Sequence, residues 1–152
     1  MPKSVAELRA QLSDIEASER MYEGIGPSDV DALTRMVDDE EDWLAARAVH
    51  ALSRIDSSEA RQAVAAAAES PQMEVRVAAA ASAAVLPATE SDTVLSKLLD
   101  DPQPAVRKFA VKSASPHNAK AIRERISDMA SSEKSAGLRR VAEEKAKSVS
   151  EP

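Results

Sequence analysis

The fold is decided by the stretch SPQMEVRVAA at residues 70–79, which returns 31 residues later as DPQPAVRKFA at residues 101–110. Both runs begin with a proline-bearing turn and continue with a Val-Arg pair and alanines at helical spacing. A fixed period of 20–50 residues is typical of repeat architectures, in which each unit is one small supersecondary motif. The stretch therefore predicts a stack of similar helical units.

The same period extends through most of the chain. One column of apolar residues consists of Leu44, Val75, Val106 and Leu138. A second column consists of Leu33, Val64, Leu95 and Ile126. Because two separate columns share one period, they predict four units, each with a first helix, a short acidic or proline-bearing turn, and a second helix.

Helix boundaries follow from prolines, turns and capping patterns. We predict first helices near 28–38, 58–69, 90–100 and 117–130, and second helices near 42–55, 73–85, 104–114 and 135–148. A further helix near 4–20 opens with Ser4 and Glu7 at capping-box spacing. The predicted organisation is an N-terminal capping helix and loop at 1–27, a solenoid at 28–148 with units 28–56, 57–87, 88–115 and 116–148, and a tail at 149–152.

Composition and charge narrow the classes of protein. The chain has no cysteine, which excludes disulfides and thiolate chemistry. No run approaches the roughly 18 apolar residues of a membrane span, so we expect no membrane contact and a cytoplasmic protein. Residues 1–103 carry nine basic and 20 acidic side chains, whereas residues 104–149 carry 11 basic and five acidic ones. The chain is therefore acidic at the front and basic in its last third.

The two quoted runs resemble HEAT-like repeats of the short kind also found in bilin lyases, in which an acidic turn precedes V-R-x-x-A. The resemblance covers residues 28–148, with Ala45 in place of the arginine in unit one and Gly137 as an extra residue in unit four. It implies an all-α fold, an α-solenoid of about four HEAT-like helix pairs with an extra N-terminal capping helix.

The resemblance also implies a role for the arginine that follows the first apolar column. In HEAT-like repeats this arginine usually pairs with an acidic residue in the preceding turn. We therefore predict a structural ladder of arginine–carboxylate contacts and not a phosphate site. Its members are the arginines and the acidic residues near them, namely Arg76, Arg107 and Arg139 with Glu69, Asp100 and Asp101.

No pattern in the sequence indicates catalysis or metal binding. His50 and His117 fall in different units without a second donor at i+4. The acidic run at 38–42 lacks the glycine and the distal glutamate of an EF-hand, and carboxylates at a helix start favour the helix dipole. We therefore predict no enzyme, no metal and no cofactor.

The second helices of a solenoid line its concave side, where partners bind. Beyond the buried stripe, these helices carry the predicted groove residues Ala46, His50, Val77, Ala81, Lys108, Lys112, Arg140 and Glu144. The groove is thus predicted to be apolar at one end and basic at the other, without aromatic side chains. Four residues of this region would form an apolar patch if they are exposed together, namely Val77, Ala80, Ala81 and Ala84. Phe109 is assigned to the core, whereas Trp43 fits core and surface equally well.

These features favour a protein–protein adaptor or scaffold that binds a partner segment with an acidic part. Three alternatives remain open. A bilin-lyase-like, cofactor-handling protein is disfavoured by the short chain, and nucleic-acid binding through the basic third is disfavoured by the acidic remainder. Self-association is the third alternative, since the acidic front of one copy can meet the basic end of another.

Overall fold

A computed structural model of the chain describes residues 2–13 and 18–150. Within those residues the chain forms α-helices and short 3₁₀ turns, without a strand. The helices are α1 Val5–Leu12, α2 Val30–Asp39, α3 Asp42–Ser53, α4 Ser58–Ala67, α5 Met73–Ser82, α6 Ala88–Leu98, α7 Pro104–Ser113, α8 Lys120–Ser132 and α9 Ala136–Ser150. The predicted all-α solenoid is confirmed.

Consecutive helices form four antiparallel pairs, which we call units one to four: α2 with α3, α4 with α5, α6 with α7, and α8 with α9. The second helices pack more closely against one another along the stack than the first helices do. A stack that is tighter on one side curves toward that side. The concave face is therefore made by α3, α5, α7 and α9, and the convex face by α2, α4, α6 and α8.

The two repeat columns form the core. Leu33, Val64, Leu95 and Ile126 are fully buried, and Leu44, Val75, Val106 and Leu138 are at most 4% exposed. Complete burial of one such side chain contributes about 1.5–3 kcal/mol. The predicted stripe of small residues on α5 is also confirmed as buried, at Val75, Ala78, Ala79, Ser82 and Ala83. Because these side chains are small, α5 can approach both neighbouring second helices closely.

The N-terminal helix covers unit one, but it is shorter than predicted. Ser4 and Glu7 form the predicted capping box, in which the Ser4 hydroxyl accepts from the Glu7 N–H at 3.1 Å. Leu8 and Leu12 are fully buried, and α1 ends at Leu12. Of the predicted helix near 4–20, residues 14–17 lie outside the described residues. Met1 and the last two residues of the predicted tail also lie outside them.

The C-terminal end of the stack has a polar outer face. Val49, Ala80 and Val111 occupy matching positions in units one to three, and all three are fully buried. Unit four has the exposed Glu143 at this position. The outer face of unit four is therefore more polar at this position than the faces between the earlier units.

Candidate functional site

The predicted groove residues lie on the four second helices in two matching rows. The first row is Ala46, Val77, Lys108 and Arg140, and the second is His50, Ala81, Lys112 and Glu144. The members in units one and two are half-buried, whereas those in units three and four are exposed. The concave face therefore changes along the stack from a shallow, mostly apolar surface to a charged one with long side chains.

Two aromatic side chains lie on the second helices and are exposed. Phe109 is 37% exposed, so its assignment to the core is wrong. Val106 and Ala110 already fill the buried stripe of α7, which leaves Phe109 on the surface beside Lys112. The repeat register does not signal this exposure, because Phe109 matches the half-buried Arg47 of unit one but the buried Ala78 of unit two. Trp43 is 42% exposed, and its ring lies 5.2 Å from the Arg47 guanidinium.

The predicted apolar patch on α5 is smaller than expected. Ala80 is fully buried, because it lies on the side of α5 that packs against the neighbouring second helices. Val77 and Ala81 are half-buried, and Ala84 is exposed. Val85, just beyond the end of α5, is 67% exposed and lines a separate cavity with Ile55 and Leu86.

A small cavity opens between the first turns of α7 and α9. Its volume is about 280 Å³. The lining includes the apolar side chains of Leu138, Val141 and Ala105, together with Lys108. A partner side chain that enters this cavity therefore meets apolar surface and a cation together.

Two polar side chains of the second helices, His50 and Lys145, are partly buried. Burial, and secondly the positive charge of Arg54, lower the pKa of His50 below its ordinary 6.5, so its imidazole is neutral at pH 7. Lys145 donates from Nζ to the carbonyls of Lys112 and Ala114, at 2.9 and 3.0 Å, where α7 ends. Burial lowers the pKa of Lys145. Its ammonium group therefore caps α7 and is less available to a partner than that of Lys108.

The arginine column forms charged contacts across unit boundaries. Arg76 donates to both carboxylate oxygens of Asp101, at 2.7 and 3.3 Å, and from Nη1 to the Ser70 carbonyl at 3.0 Å. Arg107 likewise donates to both oxygens of Glu133, at 3.2 and 2.6 Å, and to the Asp101 carbonyl at 2.8 Å. Each of these arginines bonds the backbone of its own turn and a carboxylate of the next unit.

The carboxylate that pairs with each arginine thus lies in the turn that follows it along the chain, and the prediction of a partner in the preceding turn is wrong. Successive turns stack on one another, so a side chain at the start of a second helix reaches the next turn along the stack. Glu69 and Asp100 do not join this column, because they pair with Lys97 and Arg125 on the convex face. Arg139 donates to the Glu133 carbonyl at 2.9 Å.

Two exceptions in the sequence correspond to each other in the structure. Unit one has Ala45 in place of the arginine, and Ser70 stands at the position of Asp101 in the turn that such an arginine would reach. The boundary between units one and two therefore lacks both halves of the contact. The arginine fork belongs to the scaffold, since both of its carboxylates are almost fully buried.

The described residues contain no cluster of three histidine or carboxylate side chains that could hold a metal ion. In the same residues, no helix combines the length and the apolar character that crossing a membrane requires.

Residues 30–112, more than half of the chain, match the family described as HEAT repeats. The match begins at the first residue of α2 and ends within α7, and thus covers units one to three. No curated protein matches the chain. HEAT repeats generally mediate protein–protein interactions as scaffolds, and the family is typically not enzymatic. The repeat period, the stacked helix pairs and the family match agree, and the chain belongs to the HEAT repeat family.

Proposed function

We propose that the protein is an adaptor that holds a segment of a partner protein along its concave face. One observation carries the proposal: two matching rows of second-helix residues change from half-buried in units one and two to exposed and charged in units three and four. The fold alone does not require the long cations of units three and four, because units one and two have mostly alanine and valine at the matching positions. The surface instead suits a ligand whose own character changes along its length.

The chemistry of the basic end indicates the partner. Lys108 and Lys112 are exposed one helical turn apart, and Phe109 is exposed beside Lys112. Aromatic residues anchor interfaces, and flanking cations attract carboxylates and orient the partner. Phe109 and the cavity beside Lys108 would bind apolar side chains, while the two lysines would pair with acidic residues. The proposed partner segment is therefore acidic with apolar anchors near units three and four.

The other end of the groove supports the apolar part of the ligand. Ala46, Val77 and Ala81 are short side chains, so a partner can approach the backbone of α3 and α5 closely. In this arrangement the segment crosses the second helices and has its less polar part over units one and two.

The test is affinity purification from the native cells with wild-type protein and a Lys108→Glu/Lys112→Glu variant, followed by titration calorimetry with the purified partner. The variant should bind more weakly, and the loss should shrink at high salt because screening weakens charge contacts. A matched control, Lys120→Glu/Lys134→Glu, makes the same change of net charge at exposed positions of unit four. Equal losses in both variants would show a non-specific charge effect and overturn the assignment of the groove.

A second variant tests the anchor without changing charge. Phe109→Ala should weaken binding of the same partner at least about tenfold, since interface anchors cost about 2 kcal/mol or more when truncated. Because Phe109 is partly exposed, the variant should keep its cooperative unfolding, which circular dichroism checks. A partner that binds this variant with full affinity does not use the proposed groove.

A further inference from the structure

A cleft lies between α2 and α4 on the convex face, opposite the proposed groove. Two adjoining cavities of about 320 and 500 Å³ form it, and both are lined by Thr34 and Ala63. Val37 and Ala66 add apolar surface to the smaller cavity. The cleft is therefore an open trough with a floor of short side chains.

The corresponding clefts further along the convex face are crossed by ion pairs, and the one between α4 and α6 keeps a cavity of about 320 Å³ beside its pair. Between α4 and α6, the Lys97 ammonium lies 2.6 Å from a carboxylate oxygen of Glu69. Between α6 and α8, Nε of Arg125 lies 2.7 Å from a carboxylate oxygen of Asp100. In each case a long cationic side chain from the next first helix lies across the cleft and reaches the acidic residue where the previous first helix ends.

The cleft between α2 and α4 has the acidic residue but not the cation. Asp38 occupies the position of Glu69 and Asp100, since the three are separated by 31 residues each. Lys97 follows its carboxylate by 28 residues and Arg125 follows its own by 25. At the same separations from Asp38 the chain has Ala66 and Ala63, and both line the cavity together with Asp38.

The cavity therefore lies where the other two clefts contain a lysine or arginine side chain. In the described part of the chain, Asp38 forms no ion pair. Asp31 and Glu59 line the adjoining cavity, and neither carboxylate pairs with a cation among the described residues. Arg35 also lines this second cavity, so the charge of the whole cleft is negative overall.

We infer that this cleft binds a lysine or arginine side chain presented by a basic segment of a partner protein, with Asp38 as its carboxylate. The alkyl stem of the cation would cover Ala63 and Ala66, as amphipathic side chains do on apolar surface. The inference goes beyond the concave groove, because it concerns the opposite face and a partner of opposite charge. With both sites in use, the chain would bridge an acidic segment and a basic one.

The test uses a defined probe, a 12-residue peptide of lysine and alanine, titrated into the isotope-labelled full chain and followed by amide NMR shifts. Shifts should concentrate at Thr34, Ala63 and Ala66, and the same peptide with glutamine for lysine should not produce them. Asp38→Asn should weaken binding about two- to fivefold, the range for loss of one exposed ion pair. The matched control Asp128→Asn, at an exposed acidic residue of α8, should leave the affinity unchanged.

A third variant supplies the cation for Asp38 from within the chain. Ala66→Lys places a lysine 28 residues after Asp38, as Lys97 is placed after Glu69, and should abolish the local shifts while the protein stays folded. Unaltered binding in this variant, shifts spread over all acidic surfaces, or equal losses in Asp38→Asn and Asp128→Asn would overturn the site.

Sedimentation of the unliganded chain tests the remaining candidate occupant of the cleft, which is a second copy of the chain. A dimer that Ala66→Lys dissolves would identify a second copy, through its basic last third, in place of a different protein. Asp38 and Ala66 lie on first helices, so a negative result for the convex cleft does not contradict the proposed concave groove. A negative result for the Lys108 and Lys112 variants likewise does not contradict the convex cleft.

Discussion

The boundary between units one and two differs from the boundary between units two and three. The second boundary has the Arg76–Asp101 fork at the turns and the Glu69–Lys97 pair on the convex face. Within the described residues, the first boundary has a single ion pair, Arg61 with the fully exposed Asp56 at 3.0 Å, and no fork. It has larger apolar side chains instead, because Val49 and Leu52 are fully buried where unit two has Ala80 and Ala83.

This difference shows that one repeat geometry can be held in two ways. Apolar packing stabilises roughly in proportion to buried area and requires no matched partner. A buried fork depends on both partners, because the loss of one leaves the other charge desolvated. The boundary without a fork is also the one at the convex cleft between α2 and α4, where Asp38 has no cation partner among the described residues.

The largest expected effect comes from breaking the fork at the second boundary. Asp101→Ala leaves the Arg76 guanidinium buried without a carboxylate and should lower the free energy of unfolding by about 3–5 kcal/mol. Urea denaturation followed by circular dichroism measures this loss. The neighbouring Asp100 is the matched control, because its carboxylate is 59% exposed and pairs with a half-exposed arginine. Asp100→Ala should cost only about 0.2–1 kcal/mol and less in high salt, so equal losses would contradict the distinction between fork and surface pair.

A smaller effect is expected from the matching position at the first boundary. Ser70 and Asp101 both accept a hydrogen bond from the backbone N–H two residues later, at 3.1 and 2.9 Å. Only Asp101 adds the fork. Ser70→Ala should therefore cost about 0.5–1.5 kcal/mol, the value of the shared hydrogen bond. A loss as large as that of Asp101→Ala would mean that the turn itself, and not the fork, holds the boundary.

The smallest effect should be a dependence of stability on pH in unit one. The folded state lowers the pKa of His50 below the unfolded value of 6.5, so the unfolded chain binds the proton more readily. The stability that comes from neutral His50 is complete above about pH 6.5 and declines as pH falls through the lower folded pKa. Denaturation midpoints at pH 7 and pH 5.5 measure this change, and His50→Gln should reduce it. An unchanged slope in that variant would assign the pH dependence to other groups.

The repeat period made most of the fold predictable. Columns such as Leu33, Val64, Leu95 and Ile126 are buried as predicted, because a periodic apolar pattern fixes which helix face is covered whatever the curvature. The bounds of α2 to α9 lie within a few residues of the predicted ones. The two rows of groove residues follow from the same register, so their positions on the second helices were also accessible from sequence.

Contacts between units were less predictable. The direction of the arginine fork depends on how successive turns stack, and a linear sequence does not contain that offset. Phe109 follows an apolar pattern, yet Val106 and Ala110 fill the buried stripe before it. In the convex cleft, Asp38 lacks a cation partner because alanines stand at positions 63 and 66, and two alanines in an alanine-rich helix give no signal until the ion pairs of the later units are known.

The direction of the fork has a consequence for changing the length of the molecule. In unit three, Asp101 pairs with Arg76 of the preceding unit, and Arg107 pairs with Glu133 of the following unit. A duplicate of residues 87–117 inserted after residue 117 would bring one carboxylate for the existing Arg107 and one arginine for Glu133. Each added 31-residue block thus brings both halves of the charged fork to its junctions, and it adds a further copy of Lys108 and Lys112 to the concave face.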